Sequence, residues 1–350
     1  MSLDPRSPAA AVFKLTRRGL LSALAPMAAC AAAPPPAPAA PPGPPALAQG
    51  LDALAAGFDG RLGMAVEDVQ AGWVVAHDGQ TFYPQQSVSK LWTVLAVLDA
   101  ADHGDLDLAQ PLVVTRADMS VFNQPIQKMM GETGYATTAD ALIDWAISKS
   151  DNAANDILMR LVGGQGVVRR MLAVKGLSGL RASPPEHLLE SRIAGLDWRP
   201  DYSFGQAFWT ARDTVPLARR QALLDAYVAD PPDGATPVGL VQALARLRRG
   251  QLLSAASTAR LLGALAATET GPLRLKAGLP PGWTIAHKTG TGQDLADLST
   301  GYNDVGLITA PDGRVFAVAV MIAATRRPIP ERQALMADVA RAVVEQATAP

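Results

Sequence analysis

Segments with the alternating pattern of β-strands lie near both ends of this sequence, and a long part with helical periodicity separates them. Leu62, Met64 and Val66 alternate with other residues before a turn, which predicts a hairpin over residues 62–76. The middle part, residues 87–265, is predicted to be nearly all helical. The remaining predicted elements are strands at 283–288, 301–309 and 314–322 and a final helix from Pro330 to Gln346. Because strands lie at both ends and helices between them, the expected fold class is α/β of the α+β type. A sheet built from both chain ends also makes the two lobes one cooperative unit.

The composition excludes several classes of function. The 350 residues carry a formal net charge of −1 and no basic block, so nucleic acid is not expected as a partner, and a monomer is expected. Cys30 is the only cysteine, which excludes an internal disulfide and a cysteine-based metal site. His77, His103 and His187 are scattered, and His287 is interpreted as a residue that orients a strand. Neither a metal nor a cofactor is therefore expected.

The first fifty residues have the pattern of an export signal and a spacer. Residues 16–21 read Thr-Arg-Arg-Gly-Leu-Leu, a twin-arginine pattern, and an apolar run too short to span a bilayer follows as far as Ala29. Residues 1–30 are therefore predicted to be a twin-arginine-type signal peptide that directs the protein to the periplasm. Cys30 is either lipidated or lost through simple cleavage, and only this segment is expected to touch a membrane. Residues 31–50, almost wholly Ala and Pro up to Gln49, are predicted to be an extended linker before the domain 51–350.

Ser87 and Lys90 stand three residues apart at the start of an amphipathic helix. The apolar spacing that begins at Leu91, with Gly104 at its end, predicts that helix. Residues i and i+3 share a helix face, so the hydroxyl and the amine point the same way. A lysine among apolar neighbours can take the proton of such a serine and make it a nucleophile. Alternatively the pair is an ordinary solvated helix start, since the S-x-x-K spacing is common.

Two further short motifs follow in the chain. Ser150-Asp151-Asn152 lies between two predicted helices, where each of the three residues would also serve as a simple helix N-cap. Lys288-Thr289-Gly290 follows a strand-like segment, where small residues would let a substrate backbone lie close to the protein. A plain hairpin turn is the alternative for the second motif.

In this order the three motifs resemble the signature of class A β-lactamases and penicillin-binding proteins. The resemblance extends to residues 82–87, 270–283 and 301–306 around them and covers the chain from about Leu51 to its end. It implies a class A β-lactamase-like fold, with a five-stranded antiparallel sheet flanked by helices, an all-helical lobe, and the active site between them.

The resemblance also implies roles for individual residues. Ser87 would be the nucleophile, Lys90 its proton acceptor, and Ser150 the group that passes a proton to the leaving group. Asn152 would hold the substrate's amide, and Lys288 would supply positive charge. Thr289, Gly290 and Thr291 would bind substrate, and the backbone N–H groups of Ser87 and Thr291 would form the oxyanion hole. Asp151 is interpreted as structural.

The sequence departs from the family pattern between Gly176 and Thr236. Class A enzymes carry a Glu-x-x-Leu-Asn loop whose glutamate activates the water that frees the acyl-enzyme. The nearest match here is Glu186 to Glu190, with glutamate in place of the asparagine, in a longer segment. Glu186 is therefore a possible deacylation base, and the alternative is an ordinary solvated surface glutamate.

Aromatic residues are concentrated in residues 198–209 of the same segment. They predict either local core or an apolar, sugar-stacking wall beside Ser87. Arg192, Arg199 and Arg212 would hold an anionic group there, or else pair with nearby aspartates.

Three functions from different classes are consistent with these patterns. The first is an exported serine hydrolase that cleaves a carboxylic ester on a small molecule or an envelope glycan, with β-lactams as acylating ligands that turn over weakly. The second is a β-lactamase or a penicillin-binding D,D-peptidase. The third is a non-catalytic sensing domain. The first is favoured at this point, because ester hydrolysis needs no dedicated glutamate.

Overall fold

The structure is a computed structural model and describes residues 41–349. The predicted signal peptide, Cys30 and most of the predicted linker lie outside these residues. Pro42 pairs with Val74, and the first helix begins at Pro45. The folded part therefore starts before Gly50, the residue near which the sequence pattern placed its beginning. The helix can extend into the Ala- and Pro-rich segment because proline is well tolerated in the first turn of a helix.

Strands and helices are distributed along the described chain as follows. The strands are β1 (Gly60–Asp68), β2 (Val74–His77), β3 (Tyr83–Pro84), β4 (Pro111–Val114), β5 (Tyr135–Thr138), β6 (Gly234–Ala235), β7 (Thr284–Gly290), β8 (Asp294–Leu295), β9 (Leu298–Thr309) and β10 (Val315–Thr325). The helices are α1 (Pro45–Ala56), α2 (Lys90–Asp102), α3 (Ala139–Ile147), α4 (Asn152–Leu161), α5 (Gln165–Val174), α6 (Glu186–Ile193), α7 (Ala207–Thr214), α8 (Leu217–Ala229), α9 (Pro237–Arg248), α10 (Ala255–Ala266) and α11 (Ile329–Thr348).

The main sheet joins both ends of the folded chain. Five of its strands lie in the order β2-β1-β10-β9-β7, each antiparallel to its neighbour. The short strand β8 also pairs with β9. The predicted five-stranded antiparallel sheet and the α+β class are confirmed. Within the middle part, β4 pairs with β5, a hairpin that the sequence pattern did not predict, because its strands are short and half exposed.

Two apolar cores lie on the opposite faces of the sheet. Successive side chains of a strand point to opposite faces. On β10, Ala317 and Ala319 therefore face the helical lobe, and Val318 and Val320 face α1 and α11. Both sets are fully buried. This is why the strand appears in the sequence as a continuous apolar run without polar alternation.

Helix α2 is the centre of the helical lobe. Every residue from Lys90 to Leu98 is buried, and a helix that is apolar on all sides belongs in a core. The side chain of Lys90, at 0% exposure, therefore has its amino group buried inside the protein. Among residues 41–349 no helix combines the length and the apolar character needed to cross a membrane.

Candidate active site

Ser87 lies in a strained turn directly before α2. The residue before it, Gln86, has a φ of 53°, which residues with a Cβ seldom adopt. The Gln86 backbone N–H donates to Asp233 Oδ2 at 2.7 Å, and its side-chain amide donates to the Tyr227 hydroxyl at 2.6 Å. Strain of this kind persists only where the surroundings hold it, and here two buried partners do so.

Lys90 links Ser87 to two other parts of the site. Its Nζ donates to Ser87 Oγ at 2.6 Å, as the i, i+3 spacing predicted, and to Asn152 Oδ1 at 2.6 Å. A longer bond reaches the Ser150 carbonyl at 3.3 Å, and Glu186 Oε1 lies 3.2 Å from the same nitrogen. A buried cation needs acceptors for all of its N–H groups, and Ser87, Asn152 and the Ser150 carbonyl provide them for Lys90.

Ser150 and Lys288 form a second serine–lysine contact. Lys288 Nζ donates to Ser150 Oγ at 2.7 Å. Ser150 has a φ of 58°, so it is strained like the turn before Ser87. Burial, and after it the charge of Lys90, lower the pKa of the Lys288 amine well below its ordinary value. The lowered pKa makes Lys288 a better proton donor to Ser150 than an exposed lysine would be.

Asp151 stabilises the backbone that carries Ser150 and Asn152. Its carboxylate accepts from the backbone N–H of Ala154 at 2.9 Å, as the N-cap of α4, and from that of Ile126 at 2.7 Å. It is fully buried. These contacts fit the structural role that was expected for it.

The end of β7 lies against the turn that holds Ser87. A Cβ on Gly290 would be 2.3 Å from the Gln85 carbonyl oxygen, so only glycine allows this approach. Thr289 Oγ1 is 2.7 Å from Thr270 Oγ1. The structure thus places Lys288, Thr289 and Gly290 beside the turn that holds Ser87.

Arg274 is a buried cation of this site that the sequence analysis did not select. It is 7% exposed, and its guanidinium donates to the Gly290 carbonyl at 3.0 Å and to Thr291 Oγ1 at 2.7 Å. An arginine fork beside Lys288 is well suited to a substrate carboxylate. Only its position in the segment before β7 pointed to it in the sequence.

The alternative interpretation of Glu186, that it is an ordinary solvated surface residue, is wrong. It is 2% exposed, at the start of α6, and its backbone N–H donates to Asp156 Oδ1 at 2.7 Å. The Asp156 carboxylate thereby caps α6 from α4 and directs Glu186 inward. Burial raises the pKa of the Glu186 carboxyl, and the charge of Lys90 partly offsets the increase.

Glu190 is a second buried carboxyl on α6. It is 3% exposed, and Gln293 Nε2 donates to its Oε2 at 2.7 Å. Burial, and after it the nearby Glu186, raise the pKa of Glu190 to about 8. This is the position where the family pattern has asparagine, and the sequence analysis gave it no role.

The aromatic segment proves to be partly core and partly cavity wall. A cavity of ≈ 580 Å³ is lined by Thr291 and Glu190 on one side and by Tyr202, Phe208 and Trp209 on the other. Phe208 is buried, whereas Trp209 is 40% exposed. Phe122 completes the wall, with its ring stacked on Trp209 at 5.2 Å. Trp198 and Phe204 are absent from this lining; Trp198 packs on His187.

The three arginines of the segment differ in their surroundings. Arg199 pairs with Asp201 on the surface, and Arg192 is exposed on α6. Arg212 lines the cavity, lies 5.1 Å from the Trp209 ring and donates to the Asp294 carbonyl at 2.6 Å. Of the three, Arg212 is therefore the one placed to meet an anionic group.

Comparison with known proteins agrees with this geometry. A family model described as "Beta-lactamase enzyme family" matches residues 46–347. Beta-lactamase VEB-1 of Pseudomonas aeruginosa is 26% identical over 80% of this chain and 83% of its own length. Extended-spectrum beta-lactamase PER-1 of the same species is 30% identical over 74% of this chain and 73% of its own length.

A solved structure shares the architecture as well. A beta-lactamase from Chitinophaga pinensis DSM 2588 superposes with a TM-score of 0.72 and 27% identity, over 86% of this chain and 99% of that one. Because the family match spans nearly all of the described residues, this chain belongs to the beta-lactamase enzyme family and is a serine hydrolase of the class A β-lactamase-like superfamily.

Proposed function

We propose that this protein hydrolyses β-lactams through an acyl-enzyme on Ser87, with Glu186 as the base that frees the product. The contact between Glu186 and Lys90, 3.2 Å apart inside the protein, is the observation that carries this proposal. The ester-hydrolase hypothesis rested on the lack of a dedicated base. A buried carboxylate beside Ser87 and Lys90 favours the β-lactam over the ester.

Acylation uses the two serine–lysine contacts. Lys90, acting with Glu186, takes the Ser87 proton as Oγ bonds to the β-lactam carbonyl carbon. The ring C–N bond then breaks, and the nitrogen takes a proton from Ser150, which Lys288 replaces. The excess proton on the Lys90–Glu186 pair returns to Lys288 through solvent. The N–H groups of Ser87 and Thr291 stabilise the oxyanion, a contribution of typically about 3 kcal/mol per donor.

Deacylation uses Glu186. Its carboxylate takes a proton from a water molecule, and the hydroxide bonds to the acyl carbon. The ester bond to Ser87 breaks, and Ser87 Oγ takes the proton back through Lys90. The raised pKa of Glu186 makes it a stronger base than an exposed glutamate.

The substrate's other groups have partners as well. Its carboxylate meets Lys288, Thr289 and Arg274, and its acyl side chain enters the cavity of ≈ 580 Å³ against Trp209. A flat aromatic side chain is the group that such a wall favours.

Mass spectrometry with a penicillin tests the proposal. We expect fast turnover and no lasting adduct on the wild type, a stable penicilloyl adduct on Ser87 in Glu186→Gln, and no adduct in Ser87→Ala. The proposal fails if Glu186→Gln releases product as fast as the wild type. It also fails if the wild type retains the penicilloyl adduct while it hydrolyses a short-chain aryl ester rapidly, which would restore the ester hydrolase.

We further infer that the protein acts in the periplasm, on the strength of the twin-arginine pattern at Arg17 and Arg18. Replacement of both arginines by lysine should leave the protein in the cytoplasmic fraction. Unchanged fractionation would contradict export by this route.

A further inference from the structure

Helix α6 presents two buried carboxyls to the same region of the site. Glu186 and Glu190 are four residues apart, so they lie one above the other on one helix face. Both are almost completely buried, and Glu190 also lines the cavity beside Thr291. Two carboxylates that share a site inside a protein do not both ionise at low cost, so one of them retains a proton near neutral pH.

The surroundings decide which of the two holds the proton. Lys90 lies 3.2 Å from Glu186, and Lys288 adds further positive charge there, although Asp156 opposes it. These two cations favour a carboxylate at Glu186.

Glu190 has a more acidic environment, and the charge of Lys90 lowers its pKa by less than burial and the acidic neighbours raise it. Its hydrogen-bond partner, Gln293, is neutral. Asp233, after α8, is acidic and close enough to raise the pKa of Glu190, and the buried Tyr227 hydroxyl donates to Asp233 Oδ2 at 3.2 Å. Across the cavity, Arg212 on α7 and Asp294 on β8 offset each other. The proton therefore belongs on Glu190, whose pKa of about 8 agrees with this assignment.

Glu186 also has one carboxyl oxygen that can accept a further hydrogen bond. Among the described residues, no donor makes a hydrogen bond of good geometry to Glu186 Oε1, although this oxygen is buried and Lys90 Nζ is near. An orphaned buried acceptor usually binds water. A water at this oxygen would contact the carboxyl of Glu186, one helical turn from Glu190, which lines the cavity.

We propose that Glu190 is a positioning residue for hydrolysis of the acyl-enzyme: a neutral carboxylic acid whose O–H donates to the water that Glu186 deprotonates. This inference rests on the proposed function. The water's proton passes to Glu186, its oxygen bonds to the acyl carbon, and Glu190 keeps its own proton throughout. Once Glu190 ionises, it can no longer donate, and its negative charge opposes the developing oxyanion.

The pH dependence of deacylation in two variants tests this role. In the wild type, we expect hydrolysis of the penicilloyl adduct to fall as the pH rises through about 8. Glu190→Gln keeps an N–H donor that cannot ionise, so it should deacylate a few-fold more slowly at pH 7 but lose this alkaline decrease. Glu190→Ala keeps no donor and should deacylate about 10²-fold more slowly, as expected when a reacting group is misplaced. Acylation rates should change little in either variant.

Infrared spectroscopy provides a readout that does not depend on activity. The wild type should show a protonated-carboxyl C=O band at pH 7 that Glu190→Gln lacks and that disappears above about pH 8. Glu345→Gln, which removes an exposed glutamate on α11, is the control and should alter neither the band nor the pH profile.

The possible failures are distinguishable. A wild type that never releases the penicilloyl adduct would overturn the proposed function and this inference together. A wild type that turns over, with the same alkaline decrease in Glu190→Gln or without the infrared difference, would overturn the role of Glu190 alone.

Discussion

Replacement of Glu190 by glutamine should stabilise the folded protein at neutral pH, by an amount that increases with pH. Glutamine has nearly the same shape and can still accept the hydrogen bond from Gln293. It removes the need to keep a carboxyl protonated inside the protein while the unfolded chain releases that proton. The variant that slows the reaction is thus expected to be the more stable one, a trade-off common at active sites.

The size of the effect follows from the two pKa values of Glu190. Its carboxyl has a pKa of about 8 in the folded protein, against an ordinary value of 4.5 for an exposed glutamate. Between these values the folded state binds more protons than the unfolded state, so the free energy of unfolding of the wild type falls as the pH rises. Each pH unit corresponds to about 1.4 kcal/mol, so the variant should gain up to about 3 kcal/mol at pH 7 and almost nothing near pH 4.5.

Urea denaturation at pH 5, 6, 7 and 8 measures this difference. The free energies of unfolding of the wild type and Glu190→Gln should diverge steadily over this range, whereas Glu345→Gln should follow the wild type at every pH. A difference that stays constant with pH, or a variant less stable than the wild type at pH 8, would refute a protonated Glu190.

Three further changes test the site and its supports. Trp209→Ala should raise the KM about fivefold for a penicillin with an aromatic side chain, because about 1 kcal/mol of ring contact is lost. The KM for a penicillin with a small side chain should not change. Equal effects on both penicillins would show that Trp209 does not bind the acyl side chain. Gly290→Ala should cost about 1–3 kcal/mol of stability and lower kcat, because the new Cβ would lie 2.3 Å from the Gln85 carbonyl oxygen; an unchanged Tm would contradict this. Asp151→Ala leaves two backbone N–H groups without their acceptor and should lower the free energy of unfolding, measured by urea denaturation, by about 2–3 kcal/mol. A decrease below about 0.5 kcal/mol, as is usual for surface substitutions, would contradict this structural role.

The burial of Glu186 shows where sequence reasoning failed at one residue. Glu186 follows two prolines in a segment that departs from the family pattern, and most glutamates are exposed. Its burial depends on Asp156, which accepts its backbone N–H, and on the packing of α6 against α4 and α8. None of these partners is close to Glu186 in the sequence.

Arg274 illustrates the same limitation. A lone arginine before a strand has no spacing that marks it, and it became part of the site only through contacts to Gly290 and Thr291 in the folded protein. The β4–β5 hairpin was missed for a related reason, because short, half-exposed strands give only weak alternation.

The sequence by itself determined what depends on neighbours along the chain. The i, i+3 spacing placed Ser87 and Lys90 on one face, and the alternation of apolar residues marked the first hairpin of the sheet. These features follow from backbone geometry, which repeats every few residues.

Only the tertiary structure decided how the charges of the site are arranged. Lys90, Glu186, Glu190 and Lys288 come from two helices and a strand that are far apart in the chain, and all four side chains are buried where they meet. The state of each carboxyl depends on burial and on the nearest charge, and both are properties of the packed molecule. The sequence therefore identified the contact between Ser87 and Lys90, whereas the fold placed Glu186 against Lys90 and buried Glu190 on the same helix face.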